Sequence, residues 1–490
     1  MNYDTIKFLN LEDFVYIIES IDLIKDGNVL SCNLTLKRRN EPCPACNSNT
    51  STVHGYYVKK ITHSISNSSP CFIIYKARRY KCKFCSKVYY EKNPFSTGND
   101  QTSTYTILAV LDALRSQTAT FTSVAAQFNL TKQQVMLIFD SYVEVSRKPF
   151  PEVISIDEFY TSKLTRYKYA CTILDFKSKQ IVEIYSSRRM EILANRFTSI
   201  PESERNNVKY VVIDMWDTYK DLSKRYFKKA IVAVDSFHVI KHLNEAIIKI
   251  RIKVMNKFNK STNNLASNDM YYYMLKKFHY FFVKNFEDIY TGDIRIHKIH
   301  AKWRKGEILK YLLSIDKDLK YAYLLKEKYR EFNLTADYDT CEEEFNKLIY
   351  EFNNSHLEEL RSFGRLLNNW RVEIINSFIR IDGRRLSNSA IEGINSRIKT
   401  IIKNANGYNN FNRLRNRIIF SINKDVPIKG TPNKKKTVWF LEVKKGISNS
   451  KWNALFLTTK FLTAIKTTKI LTAHLYKTTN YLTAPKKVVY

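Results

Sequence analysis

VISID at residues 153–157 and VKYVVID at 208–214 decide how this chain is read. Each is a short apolar run closed by an aspartate, Asp157 in the first and Asp214 in the second. Runs of this length rich in Val and Ile read as buried strands. A carboxylate at the end of such a strand is held rigidly at a sheet edge, where a cation and a phosphate can approach. Two such strands in one sheet place their acids side by side. A hard divalent cation takes oxygen ligands and keeps several waters. A third carboxylate would complete a site for two ions about 3.5–4 Å apart, which stabilise the attacking and leaving oxygens of an in-line phosphoryl displacement. Glu392, in the helical stretch SNSAIEGINSRIKTIIKNANG (387–407), is the best candidate. Arg397, Lys399 and Lys403 lie on the same helix and could hold nucleic-acid phosphates. Glu158, Asp217 and Asp221 stay open as rivals on spacing alone.

The pattern around these runs is α/β. KYACTIL (168–174), QIVEIY (180–185) and AIVAVD (230–235) read as further strands, with a helix near 189–199. The stretch 237–380 is nearly all helical in pattern, basic and aromatic. Its clearest periodic segments are WRKGEILKYLL and FGRLLNNWRVEIINSF. Asn388 or Ser387 can cap the 387–407 helix and Gly407 can end it.

Upstream, residues 12–38 predict a β-hairpin, with Tyr16–Leu23 and Val29–Leu36 flanking the turn KDGN. CPAC (43–46) and CKFC (82–85) follow, separated by β-like sequence at 71–80. Each pair makes a tight turn that aims two thiolates at one ion, so Cys43, Cys46, Cys82 and Cys85 predict one tetrahedral zinc site. The 35-residue spacer is longer than the roughly 15–20 residues of the usual pattern. Cys32, Cys71, Cys171 and Cys341 lack such spacing and read as core residues, and His54 is a spare ligand.

Residues 103–146 change to a helical period. TYTILAVLDALRS, TSVAAQF (capped by Thr122 or Ser123) and TKQQVMLIFDSYV (capped by Thr131) fit a helix-turn-helix. Lys132, Gln133 and Gln134 begin the third helix, where base-contacting residues usually lie. The plainer alternative is a small helical bundle joining two domains. Pro149 and Pro151 mark a boundary at 147–152. After about residue 425 a short Leu-Thr-Ala unit recurs and acids nearly vanish, which reads as a peripheral low-complexity tail.

The whole chain agrees with a polyanionic partner. Eighty Lys and Arg against 47 Asp and Glu give a net charge of +33 over 490 residues, spread along the length. No segment reaches the roughly 18–20 uninterrupted apolar residues of a membrane span. The N-terminus carries acids where a secretory signal needs bases, so the expectation is a cytoplasmic, nucleoid-associated protein with reduced thiols.

IDEF (156–159), IDMWDTYKDL (213–222), DSFHVIKHLNEA (235–246) and the motif 387–418 together resemble the ISL-three family of transposases of bacterial insertion sequences. CPAC and CKFC resemble that family's N-terminal zinc ribbon. The resemblance runs in order over about residues 10–430 and implies a catalytic domain of RNase H-like fold. Its Asp, Asp, Glu triad falls on Asp157, Asp214 and Glu392, with two Mg²⁺ or Mn²⁺ per site. Asp235 and His238 match a D-x-x-H signature that supports the site.

The expected architecture is multidomain, mixed α+β and α/β. It has a hairpin and zinc ribbon (1–98), a helix-turn-helix (99–148) and an RNase H-like domain in two parts (150–240 and 385–425). An all-α insertion (241–384) separates those parts, and a basic tail (426–490) follows. The expected partners are double-stranded DNA, both terminal inverted repeats and target, and further copies of the chain in a homodimer or larger assembly. A non-catalytic regulator and a nuclease without a joining step are the rival classes. The three acids in intact motifs oppose the first, and the ribbon with the helix triplet opposes the second.

Overall fold

Asp26 pairs with Val29 across a two-residue loop, and Gly27 there sits at φ +56°, the left-handed backbone that such a tight turn demands. This is the hairpin of strands β1 (Ile18–Asp26) and β2 (Val29–Leu36). The structure, a computed structural model, describes residues 3–39, 41–64, 69–96, 101–161, 166–259, 266–284, 289 and 292–429. The Leu-Thr-Ala tail lies outside the described residues.

Helix α1 (Tyr3–Phe8) precedes the hairpin, and β3 (Ser51–Thr62), β4 (Cys71–Cys82) and β5 (Val88–Tyr90) follow it. The sheet runs β1-β2-β4-β3, with β5 beside β4. One face buries Cys32, Leu34, Ile61, Ile73, Tyr75 and Ala77 against Ile6, Leu9 and Leu11. The long β3–β4 hairpin accounts for the unusual spacer between the cysteine pairs.

Helices α2 (Thr104–Ala113), α3 (Phe121–Phe128) and α4 (Lys132–Tyr142) come next. Ser103 caps α2, and its hydroxyl also meets Nδ1 of buried His63 at 2.8 Å. His63 Nε2 meets the Leu9 carbonyl at 2.7 Å, so one imidazole ties the sheet to the helices. Thr120, not Thr122 or Ser123, caps α3, because Ser123 closes a reciprocal capping box from the N3 position. Thr131 caps α4 as expected, with Gln134 as its box partner.

The second sheet is built from β6 (Val153–Tyr160), β7 (Tyr169–Asp175), β8 (Ile181–Tyr185), β9 (Tyr210–Ile213) and β10 (Ile231–Val234), in the order β10-β9-β6-β7-β8. β6, β9 and β10 are parallel to one another, while β7 and β8 form an antiparallel meander beside β6. Helices α5 (Met190–Thr198), α6 (Glu202–Arg205) and α7 (Asp217–Tyr226) make the connections. Both faces are covered, so the strands read as continuous apolar runs.

Helix α8 (Ser236–Lys257) leaves β10 and runs unbroken past residue 240, where the sequence suggested a boundary. Next come α9 (Ala266–Lys277), the hairpin β11 (Asp293–Ile296) and β12 (Ala301–Arg304), α10 (Lys305–Ser314), α11 (Lys317–Thr335), α12 (Cys341–Asn353), α13 (Glu358–Asn369) and α14 (Arg371–Asn376). The insertion is therefore helical but not wholly so, since 293–304 pairs as a hairpin. FGRLLNNWRVEIINSF, read as one periodic segment, breaks at Trp370 into α13 and α14. One core runs continuously from Ile154 and Val211 in the sheet to Phe345, Phe363 and Phe378 in the helices. A short ladder, β13 (Arg380–Ile381) with β14 (Arg384–Arg385), leads into α15 (Ser389–Asn404) and α16 (Phe411–Ile422).

α16 docks the α2–α4 triplet. Phe420 packs on Phe139, Arg413 pairs with Asp140, and Arg417 is fully buried. The Arg417 guanidinium donates to the Ser116 and Ala119 carbonyls at 2.8 Å each. Arg417→Ala leaves both acceptors unsatisfied at about 1–3 kcal/mol each. The expected result is a clear fall in thermal midpoint and fast proteolysis near residues 114–120. Wild-type melting and digestion would show that the guanidinium does not hold the triplet.

Candidate active site and metal centre

Ile156 pairs with Ile213 as the last rung of the parallel β6–β9 ladder, so the next residues, Asp157 and Asp214, emerge side by side. Asp157 does not end its strand as the sequence suggested. β6 continues to Tyr160 because β7 still pairs with it, and only the parallel partner stops. Asp157 is 9% exposed. Burial, and then the neighbouring Asp214 carboxylate, push its carboxyl up to about 8.

Each acid is held from both sides. Asp157 accepts from the Glu158 amide at 2.7 Å and from Asn395 Nδ2 at 2.6 Å. Asp214 accepts from Asn388 Nδ2 at 2.8 Å, and His238 Nε2 lies 3.1 Å from its other oxygen. Asp235, at the start of α8, accepts from the Asn388 backbone amide at 3.1 Å. Burial raises its carboxyl to about 6.

Helix α15 supplies the opposite wall. Ile391, Ile394, Ile398 and Ile401 are buried, while Asn388, Glu392 and Asn395 fall on the face turned to the acids. Ligand atoms of Asp235, His238 and Glu392 all lie within 4.8 Å of one another. Asp157 and Asp214 are not members of that cluster; Asp214 is joined to it through His238 and Asn388. Among the described residues, buried Asp235 Oδ2 has no hydrogen-bond partner. Burial, with neighbouring carboxylates, raises Asp157 and Asp235, and carboxylates so placed, with an oxygen left over, form a donor set that suits a hard divalent cation.

The sequence reading missed Asn388 as a partner of Asp214 and Asn395 altogether. Asn388 does occupy the cap position of α15, but its amide is turned to Asp214 rather than to the helix amides. The available signal was a pair of Asn residues two turns apart among buried isoleucines. Arg188 was also missed. It pairs with Glu158, and its guanidinium stacks 4.4 Å from the Tyr169 ring and 4.9 Å from that of Trp216. Of the rival acids, Glu158 is occupied by Arg188, and Asp217 and Asp221 are exposed on α7. Lys399 and Lys403 lie two and three turns beyond Glu392 on one row of α15, and Arg397 lies off it. Lys132 and Gln133 are exposed at the start of α4, whereas Gln134 is turned back to accept the Thr131 amide at 2.8 Å.

The four cysteines meet as predicted. Sγ of Cys43 and Cys85, and of Cys46 and Cys82, are 3.6 Å apart, and all four lie within 4.8 Å of one another. Tetrahedral zinc with Zn–S near 2.3 Å requires sulfur separations of about 3.8 Å, far beyond a disulfide bond. The two knuckles match each other. Asn47 and Ser86 are both left-handed, and their amides return to the Cys43 and Cys82 carbonyls at 2.8 and 3.1 Å. Hydrogen bonds from the backbone, that of Cys85 foremost, bring the Cys82 thiol down to about 6, as a thiolate ligand requires. Cys32, Cys71, Cys171 and Cys341 are buried elsewhere, and His54 is not part of the cluster.

Among the described residues no helix is long and apolar enough to cross a membrane. Residues 39–85 match the family described as the zinc-finger of transposase IS204/IS1001/IS1096/IS1165, which agrees with a structural zinc at the four thiols. The chain is similar to the transposase for insertion sequence element IS1001 of Bordetella parapertussis, with 22% identity over 399 residues, 80% of this chain and 92% of that one. Residues 154–418, which carry Asp157, Asp214, Asp235 and Glu392, match the ISL3 family, described as transposase. The chain therefore belongs to the ISL3 family of insertion-sequence transposases.

Proposed function

We propose that this transposase binds the terminal inverted repeats of its element, hydrolyses a phosphodiester to free a 3′-hydroxyl, and joins that hydroxyl to target DNA. The observation that carries the proposal is the buried side-by-side placement of Asp157 and Asp214 where parallel pairing of β6 and β9 ends. A sheet of three antiparallel strands extended by two parallel ones, with acids at the first and fourth, supports reading the domain as RNase H-like.

Asp157, Asp214 and Glu392 would hold two Mg²⁺ or Mn²⁺ ions. When bound, such ions supply Lewis-acid stabilisation to the attacking and leaving oxygens. Asn395 holds one Asp157 oxygen and Asn388 one Asp214 oxygen, so α15 sets the direction of both acids while presenting Glu392. His238 orients the second Asp214 oxygen, and Asp235 anchors the start of α15. Both are positioning residues. Lys399 and Lys403 continue the Glu392 row outward and would follow the DNA backbone. The α2–α4 triplet is read as a helix-turn-helix, with Lys132 and Gln133 at base edges. Cutting two ends together implies a homodimer or larger assembly.

The test is to incubate the purified chain with a labelled element end and Mg²⁺. A nick bearing a 3′-hydroxyl is expected, followed by a joined product. Uncut DNA at all Mg²⁺ and Mn²⁺ concentrations overturns the reading. Asn395→Ala should lower cleavage about 10–100-fold, the usual loss when a ligand's orienting partner is removed. Because the defect lies in holding Asp157, raised Mg²⁺ should recover part of the rate. A loss unaffected by Mg²⁺ would mean that Asn395 acts elsewhere.

A further inference from the structure

We infer that the solvent face of the β3–β4 ribbon binds duplex DNA and makes more of the phosphate contacts than helix α4 does. This rests on the DNA-binding reading above, and it assigns that binding to a surface outside the helix triplet.

The register places Tyr56 opposite Arg78, Val58 opposite Lys76 and Lys60 opposite Ile74. Their side chains share one face, because residues paired across an antiparallel ladder point the same way. The other face is filled by Ile61, Ile73, Tyr75 and Ala77 against the core. On the solvent face Tyr56 is 63% and Val58 64% exposed, and Lys60 and Lys76 are exposed beside them. The Lys60 ammonium sits 4.0 Å from the Phe72 ring. Arg78 belongs to the fold instead, donating to Glu91 and to the Leu36 carbonyl.

Charge commits the face to a polyanion. Lys60 and Lys76 are its exposed cations, and residues 51–90 as a whole contain eight Lys and Arg and no Asp or Glu, Lys59 and Arg79 standing on the opposite face. Residues 99–146, the helix triplet, contain two, Arg115 and Lys132, against four acids. Arg115 is spent on the carbonyls of Phe420, Lys424 and Val426, leaving Lys132 as the one cation the triplet can offer DNA. Affinity for DNA comes largely from neutralised phosphates, so the triplet alone is a poor electrostatic footprint.

The shape agrees. β strands can enter the major groove, and β3 is the outer strand of its five-stranded sheet, bridged beyond, among the described residues, only at its end, Thr62 to Thr102. Tyr56 and Val58 between lysines present apolar surface for sugar and base edges, flanked by cations for the backbone. A second copy docked on this face by a two-fold axis would set the same positive row against itself.

The test uses the full chain, loaded with zinc, and a short fluorescein-labelled duplex of mixed sequence titrated at several salt concentrations. For Lys60→Ala/Lys76→Ala the slope of log K against log salt should become shallower by about 2, since each phosphate contact contributes about 0.9. Lys132→Ala should change it by no more than half as much. Zinc content and far-UV circular dichroism report that the variants fold, and Tyr56→Ser supplies a second variant that removes no charge yet weakens binding. Unchanged slope and affinity in the double variant, or a larger loss from Lys132→Ala, overturn the inference. So does altered self-association without DNA at an unchanged slope, which would make the face a contact between copies. Wild-type chain that binds no duplex at any salt would instead bring down the DNA-binding reading itself.

Discussion

Chains carrying Asp157→Ala, Asp214→Ala or Glu392→Ala are expected to bind an element end normally and to cleave it at least about 10³-fold more slowly. Several kcal/mol of transition-state charge stabilisation depend on a correctly held ion pair, and each 1.36 kcal/mol is about tenfold in rate. Binding survives because none of the three acids lies on the basic ribbon or the helix triplet. Asp157→Ala removes a buried carboxyl, and Asp214→Ala removes a carboxylate that adds to the effect of burial in raising Asp157, so these two variants should be no less stable in the absence of metal. That separates a catalytic loss from a folding loss, and thermal melts of metal-free protein measure it. Near-normal cleavage by any one variant would release that residue from the ligand set. Glu158, freed from Arg188, or Asp217 would then be the replacement to test.

The second large effect concerns zinc. Freshly purified chain prepared without chelators is expected to hold one Zn²⁺, and Cys82→Ser to hold none. Structural zinc contributes about 10–16 kcal/mol in small zinc-binding peptides. Here only the knuckles depend wholly on it, because the β1–β4 sheet has its own core of Leu34, Ile61, Ile73 and Tyr75. Around the thiols the apolar support is small, chiefly Tyr80, Tyr89 and Val53. Loss of the metal should therefore unfold residues 41–53 and 82–90, read as new protease cuts there, while the second sheet melts as before. End binding should fall with the zinc, since the ribbon's distal end loses its shape. Elemental analysis without zinc in the wild-type chain would sink this prediction.

Local patterns carried most of the element assignments. The CxxC pairs, the Gly27 turn, the Thr131 cap and the apolar strands each depend on neighbours within a few residues, and the structure reproduces them. The errors have separate causes. Asp157 was read as a strand end because the apolar run stops there. β6 nevertheless continues, because β7 supplies partners that no local pattern reveals. Thr120 was passed over as a cap because the geometry of its box with Ser123 lies outside residue preference. The hairpin at 293–304 was hidden inside a basic, aromatic stretch with helical neighbours.

By itself, then, the sequence determined the zinc ligands, the strands that carry Asp157 and Asp214, the helix that carries Glu392, and the strong positive charge. These follow from spacing and composition, which survive without knowledge of long-range contacts. Only the tertiary structure decided how the acids are held. Asn395 reaches Asp157 over 238 positions and Asn388 reaches Asp214 over 174, distances across which periodicity carries no information. It also decided that α16 clamps the helix triplet through Arg417, and that Arg78 is drawn into the fold while Lys60 and Lys76 stand exposed on one face of the sheet. A side chain's availability is set by what packs against it, and that is a property of the assembled chain rather than of any segment.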